Sequence, residues 1–537
     1  MYLCMKDLIL YLRRDDDDHS ARRLLGQAQV LGRDLLPLFK YNHKEPKLWD
    51  LGLRLLVNLT HPALLLYDEE VPKNKKYLNY YNQLLGYLRT YKEDFVDKVV
   101  WKILAEKLRQ LLNLEWDKRM EHDRITIERI LIVIRNILHV PADPSEERRA
   151  DDDTSLHDRI LMVMHISGFE DLLLYAAVSE TTQEFSVLIL EIMSWMLREQ
   201  TGEQLAKTQL ARNEDDKIKD ERELVRMREK EAVLKTIQLQ KLPTRHSRFG
   251  GTFVVRDMKA PSGRDLLCHK PITSVTDLSL DSTKKRKRVA SNRKPINDED
   301  STRRSTIPIR IILKDFCTSF LVDGTYNQMM SFVKDGIVRG RTEDNDETYY
   351  LWGMKFFMEF NRHHQFSVSY VSETMSTSTF HYVQTLLDRY QGMMVTDKEK
   401  IPFWSRRAHM ALKAYQELLF SLLWMDRDED ESVKESSRVI KSNVFYLPEY
   451  RELCHGLLNT YDPVKLSKLY LKDLIETNHL FLKMLEDYSS QNRRIMIKGK
   501  GKRKKSTKVS NDRILIDEVL YYCTTVVVED RDNSIIL

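Results

Sequence analysis

IERILIVIRNIL, residues 127–138, decides the fold class. Its Ile127, Ile130, Leu131, Ile134 and Leu138 recur at intervals of 3, 4, 7 and 11 residues from the first, which places them along one face of an α-helix. Pro141 and Pro144 end that helix, because proline removes a donor and clashes with the preceding turn. A new helix is predicted after the acids at 151–153: Ser155 and Asp158 have the spacing of a capping box, and the acids suit a positive helix N-terminus.

The same stretch has an earlier echo. RLLVNLTHP (54–62) and VIRNILHVP (133–141) each carry an aliphatic run, then Asn58 or Asn136, then a histidine three residues on, then a proline. The 78-residue offset is close to two periods of the ~40-residue armadillo or HEAT repeat. An asparagine near the end of a repeat's inner helix can bond the backbone of the neighbouring repeat or of an extended ligand, since its amide both donates and accepts. The alternative is that each asparagine caps only its own helix. The expectation is an all-α chain, an armadillo/HEAT-like right-handed helical repeat array with a long, partly disordered basic loop.

Composition agrees. Of 537 residues, 17 are Gly and 14 Pro, about 3% each, well below the usual ~7% and ~5%. This disfavours sandwiches, barrels and glycine-rich nucleotide folds. Five cysteines, Cys4, Cys268, Cys317, Cys454 and Cys523, lie far apart without a C-x-x-C pair, so neither a disulfide framework nor a zinc module is signalled. The start, MYLCMKDLILYLRRDDDD, has its apolar run broken by Lys6 and Asp7, unlike a secretory leader. No apolar run approaches the roughly 18 residues of a membrane span, so an intracellular, soluble chain is expected.

The formal charge is +5, but it is unevenly spread. Residues 284–294 carry seven Lys/Arg and residues 493–508 carry nine, without an acid in either. The rest of the chain holds 70 basic against 81 acidic residues. The body is therefore acidic, and any nucleic-acid contact needs a local patch or the basic arms. Lys284, Lys285, Arg286, Lys287 and Arg288 form a dense cationic run of the kind nuclear import receptors read, and Lys502, Arg503, Lys504 and Lys505 form another. Neither has interleaved aromatics, so both suit phosphates rather than base stacking.

Five segments follow from these patterns. Residues 1–205 form an N-terminal helical block, 206–241 a charged spacer helix, and 242–306 a loop holding RHSRFGG and the first basic cluster. Residues 307–490 form a second helical block, expected to bind a partner, and 491–537 a basic tail with an atypical end. In RHSRFGGTFVV (245–255), two glycines between an aromatic and a β-branched run can make a hairpin or a close backbone approach, and Arg245 and Arg248 are placed to grip a phosphate or carboxylate. In the second block Tyr349, Trp352, Phe356 and Phe360, with Gly353 and Phe357 beside them, line up as a core stripe. Helices are also predicted over 409–424, 449–458 and 472–485.

Catalysis is not signalled. Phosphate-loop, dinucleotide, zinc-protease, nucleophile-elbow and EF-hand patterns do not occur. His363 and His364 are adjacent, so on a helix they diverge by about 100° instead of converging on a metal, and Cys454 and His455 diverge likewise. No catalytic, cofactor-binding or metal-ligating residue is predicted, and an interaction protein is favoured over an enzyme.

Several long strings resemble the Timeless family, in particular its fork-protection type rather than the circadian paralogue. They are KDLILYLRRDD (6–16), LLVNLTHPALL (55–65), IERILIVIRNILHVPAD (127–143), RHSRFGGTFVV (245–255), DETYYLW (346–352), HMALKAYQELL (409–419), SSRVIKSNVFYLPEYREL (436–453) and NHLFLKMLE (478–486). The resemblance implies a non-catalytic α-helical scaffold in the nucleus. Such a scaffold pairs with the small partner Tipin and travels with the replicative helicase. It grips parental duplex DNA, and it supports the replication checkpoint through Claspin and sister-chromatid cohesion. On that basis residues 307–490 are assigned to Tipin binding, with Trp404, Tyr415, Phe445, Tyr446 and Tyr450 as aromatic anchors. The DNA-facing assignment, made on charge, goes to Arg245, Arg248 and the two basic arms. Longer family members continue past the position of residue 490 into a region that binds poly(ADP-ribose) polymerase; residues 514–537 do not resemble it, so that interaction is not expected here. The rival reading is a nuclear armadillo regulator, including the circadian type that binds period proteins.

Overall fold

Ile127 and its partners do form one buried face, on a helix spanning Glu121–His139. The structure is a computed structural model and describes residues 2–42, 45–67, 71–142, 154–208, 226, 229, 233, 251–255, 266–270, 305–339 and 346–491. The described residues fall into two compact units, divided between Met425 and Asp426.

The first unit opens with α1 (Tyr2–Arg13), α2 (Ser20–Gln27), α3 (Leu36–Tyr41), α4 (Pro46–Leu59), α5 (Ala63–Leu66), α6 (Lys75–Asp94), α7 (Lys98–Leu112) and α8 (Glu121–His139). A short π-helical turn, Leu31–Leu35, leads into α3. Next come α9 (Leu156–Ile166), α10 (Phe169–Val178), α11 (Ser186–Met196) and α12 (Gly202–Ala206). After the interval 209–304 the unit is completed by α13 (Ile307–Val322), α14 (Thr325–Arg339), α15 (Glu347–His364), α16 (Thr377–Thr396) and α17 (Ile401–Met425). The second unit contains α18 (Glu431–Tyr446), α19 (Pro448–Asn459) and α20 (Lys468–Gln491).

Local chemistry sets many of these boundaries. Asn74, Asp97, Ser155, Thr201, Asp346, Ser376 and Asp430 each occupy an N-cap and accept a backbone N–H from the first turn, satisfying donors that the helix itself leaves unpaired. The Ser155 cap accepts from the Asp158 N–H at 2.9 Å, as the capping-box spacing predicts.

Within the first unit, long helices stack side by side in the same direction. Asp50 near the start of α4 pairs with Arg129 of α8 at 2.6 Å, while Asn136 near the end of α8 meets Thr60 just past α4 at 3.2 Å. From α8 to α11, Arg135 faces Glu191 at 3.6 Å and the His139 and Trp195 rings lie 4.4 Å apart. From α15 to α17, Arg407 reaches Asp346 at 3.1 Å and Arg362 reaches Glu417 at 3.0 Å. By contrast α16 runs antiparallel to α17, with Phe380 against Tyr415 and Tyr390 against Trp404. Parallel helices that meet through returning neighbours are what a repeat stack requires.

The sequence boundaries at 205 and 307 do not separate compact bodies. Helix α12 lies directly on α15: a Cβ added to Gly202 would stand 2.7 Å from the Phe356 carbonyl oxygen and 2.8 Å from the Phe360 nitrogen. The Gly202 N–H also donates to Glu359 Oε2 at 3.1 Å. The predicted second block, 307–490, is instead divided after Met425. Its aromatic stripe is core, with Phe356, Phe357 and Phe360 buried.

Among the described residues the strands form one antiparallel pair, β1 (Gly251–Val255) with β2 (Leu266–Lys270), in register Gly251 to Lys270 through Val255 to Leu266. Gly251 lies in β1 and pairs with Lys270, so the hairpin expected around the double glycine is not centred there; the second strand had no signal in the reading of the sequence. Most of the predicted 206–241 spacer lies outside the described residues. No single described helix is long and apolar enough to cross a membrane.

Candidate interaction surfaces

The Asn–His echo places a row of polar groups at the C-terminal ends of α4, α8 and α11. Helix ends leave carbonyls unpaired and carry partial negative charge, which cations satisfy. Arg22 donates to the Asn58 carbonyl, Lys92 to that of Val140 at 3.1 Å, and Arg198 to those of Leu138 and Val140 at 3.3 and 3.2 Å. The Asn136 amide crosses to Thr60 Oγ1, while its oxygen accepts from its neighbour Arg135 at 2.9 Å. The Asn58 amide donates instead to the Arg54 carbonyl of its own helix at 2.9 Å.

The histidines of this row are neutral near pH 7. Burial, reinforced by Arg22 and Arg135, holds His61 down to about 4. His139 is held down to about 4 by burial, then by Arg135 and Arg198. Because the cations bind helix ends and Arg135 also faces Glu191, this row joins neighbouring helices and leaves little free charge for an anion.

A second cluster has the composition of a binding hot spot, where Trp, Tyr and Arg dominate. Around the α16–α17 turn, half-buried Phe403, Trp404 and Arg407 gather beside Tyr390. The Arg407 guanidinium lies 4.3 Å from the Phe403 ring centre and 5.7 Å from that of Trp404, while pairing with Asp346 at 3.1 Å. Trp404 Nε1 donates to Asp397 Oδ2 at 3.4 Å. Tyr390 donates its hydroxyl to Glu347 at 2.9 Å, and burial pushes its pKa well up. This arrangement holds two aromatic rings and a guanidinium in one fixed geometry.

Of the five predicted anchors, three are corrected. Tyr415 is 0% exposed and packs on Phe380, Phe445 is 1% exposed between Phe481 and Tyr488, and Tyr450 is 2% exposed. Aromatic type marks core and interface alike, and these three face inward in the chain itself. Trp404 and Tyr446 remain at the surface, Tyr446 with 42% exposure and Val439 exposed seven residues before it on the same helix face. Phe403 and Arg407 were missed, although FWSRR (403–407) carries the signal in plain view. Arg245, Arg248, Lys284, Lys285, Arg286, Lys287, Arg288, Lys502, Arg503, Lys504 and Lys505 lie outside the described residues.

Among the described residues, no group of three or more His, Cys, Asp or Glu could hold a metal ion. Cys317 is buried, and burial pushes its thiol well above the usual range, away from the reactive thiolate. His364 stacks on Phe360 at 5.3 Å, a packing role.

Comparison with known proteins supplies the lineage. A family model described as Timeless protein matches residues 1–255. The timeless homologues of Homo sapiens and Mus musculus are 43% and 44% identical over 92% and 93% of this chain. The chain spans 41% of the length of each. The mating-type switching protein swi1 of Schizosaccharomyces pombe is 24% identical over 99% of this chain and 53% of its own length. With that likeness running through both helical units, this chain belongs to the Timeless family.

Proposed function

We propose that the chain is a non-enzymatic nuclear scaffold of the replication fork. In this reading it pairs with a Tipin-like small partner, associates with the replicative helicase and parental duplex DNA, and supports fork stability, Claspin-linked checkpoint signalling and cohesion. The observation that carries it is the 43% identity to the human timeless homologue across 92% of the chain. The parallel helix stack supports an armadillo/HEAT-type repeat as the scaffold, because such stacks offer long surfaces and need no active site. A relative named for mating-type switching fits a role on DNA.

The partner docks on the Phe403–Trp404–Arg407 cluster and on the exposed Tyr446 face, and Arg245, Arg248 and the basic arms contact phosphates. The test is recovery of the tagged full chain from nuclear extract, beside a variant carrying Trp404→Ala and Tyr446→Ala. Co-purification of a Tipin-like protein and helicase subunits, weakened in the variant, supports the reading. Period-like proteins without them would make the chain a circadian-type regulator, and recovery of neither would remove the fork assignment.

A further inference from the structure

The joint where the chain returns to the first unit contains a feature that the scaffold reading does not use. After residue 304 the first described residues are Ser305 and Thr306, and they land on two carboxylates. Ser305 Oγ donates to Glu199 Oε2 at 3.4 Å, and the Thr306 N–H donates to Asp158 Oδ2 at 3.2 Å. Asp158 is 1% exposed, and its other oxygen, Oδ1, is buried without a hydrogen-bond partner. Its backbone N–H donates to the Ser155 hydroxyl while its carboxylate accepts from Thr306, so residue 158 ties the first turn of α9 to the start of α13.

Thr306 is the N-cap of α13 but makes no side-chain cap hydrogen bond, and its φ of −61° and ψ of 152° are those of an extended chain. It is half-buried, whereas Ser305 is 2% exposed with its hydroxyl already engaged. The preceding sequence is Arg303-Arg304-Ser305-Thr306, two arginines at three and two residues before the threonine. Thr306 is extended, its hydroxyl caps nothing, and in the sequence it follows two arginines, the pattern that arginine-directed protein kinases bind.

We propose that Thr306 is a phosphorylation site for an arginine-directed, ATP-dependent protein kinase, and that its phosphate releases the start of α13 from Asp158. Thr306 Oγ1 bonds the γ-phosphorus of ATP as the bridging bond to the β-phosphate breaks. ADP leaves, and the hydroxyl proton passes to the kinase's base. A phosphate at a helix N-terminus is ordinarily favoured by the helix dipole. Here it meets a buried carboxylate and, beside it, Glu199, and a near-dianion set against carboxylates disrupts by repulsion and desolvation. The consequence is an opened joint between the helices before residue 209 and those after 304.

The test treats the full 537-residue chain with a purified arginine-directed kinase and ATP, maps the phosphate by mass spectrometry, and follows hydrogen exchange. The expected result is phosphate on Thr306 with at least tenfold faster exchange in the first turns of α13 and α9. Thr306→Val should take no phosphate there and keep its protection, and Asp158→Asn should restore most of the protection in the phosphorylated chain. Absence of phosphate on Thr306 in the intact chain overturns the proposal. So does phosphate with unchanged or slower exchange, the outcome if a nearby arginine such as Arg310 captured it.

Discussion

Asn136 of α8 donates its side-chain amide to Thr60 Oγ1 at 3.2 Å, while the side-chain amide of Asn58, its counterpart 78 residues earlier, donates to Arg54 of its own helix. The two asparagines look alike in sequence and differ in what lies next to them. Asn136 is 1% exposed, so its removal takes away buried hydrogen bonds to the Thr60 hydroxyl, which keeps its own bond to the Leu56 carbonyl, and from Arg135. Asn136→Ala is expected to cost about 1–3 kcal/mol, and Asn58→Ala less than about 1 kcal/mol. Urea unfolding of the two variants beside the parent measures the difference; equal costs would show that Asn136 does not bridge the repeats.

Gly202 separates the packing of α12 on α15 from ordinary helix contact. A Cβ at this position would press on the backbone of Phe356 and Phe360, which cannot swing aside as a side chain would. Gly202→Ala is therefore expected to destabilise by about 1–3 kcal/mol, the usual range of overpacking, despite the higher helix propensity of alanine. Gly392, which has open space around it, is the control: Gly392→Ala should be neutral or stabilising in the same melts.

The helical class was legible because IERILIVIRNIL repeats at a helical interval and buries the face that interval defines. The capping of α9 was legible because Ser155 and Asp158 are local. What the sequence concealed was set over long distances. The joint of α12 with α15 unites residues more than 150 apart, so no composition shift marks it, and the division after Met425 falls inside a stretch that reads as uniformly helical. The anchors failed for a related reason: Phe445 and Tyr446 are adjacent on one helix, and only the neighbours Phe481 and Tyr488 decide which of them is core.

That distinction is measurable. Phe445→Ala removes a buried aromatic and is expected to cost about 3–5 kcal/mol, enough to unfold the α18–α20 helices in part. Tyr446→Ala, at an exposed position, should change stability by less than about 0.5 kcal/mol. Circular dichroism melts of both full-length variants provide the check, and only Tyr446→Ala is fit for reading partner binding.

Glu417 gives the first unit a pH dependence. Burial pushes its carboxyl up to about 7, against the opposing pull of Arg362, which it meets at 3.0 Å; Glu359 and Lys355 also act on it. Between about 4.5 and 7 the folded chain holds a proton that the unfolded chain releases, so stability falls as pH rises through this range. The contribution is complete below about 4.5 and lost above 7, and amounts to about 3 kcal/mol. Glu417→Gln, which keeps an acceptor for Arg362, should flatten that slope between pH 5 and pH 8 in urea titrations. An unchanged slope would assign it to other groups.

The basic arms carry the last expectation. Outside residues 284–294 and 493–508 the chain is acidic, so the duplex binding proposed above requires local cations. Each phosphate neutralised contributes about 0.9 to the slope of log affinity against log salt. Changing Lys502, Arg503, Lys504 and Lys505 to alanine should therefore weaken duplex binding and lower that slope by up to ~4, with base sequence having little effect because phosphates carry no sequence information. Fluorescence anisotropy on a labelled duplex between about 50 and 200 mM salt measures both quantities. A slope that survives the four substitutions would move the DNA contact away from this arm and onto Arg245, Arg248 and the run from Lys284 to Arg288.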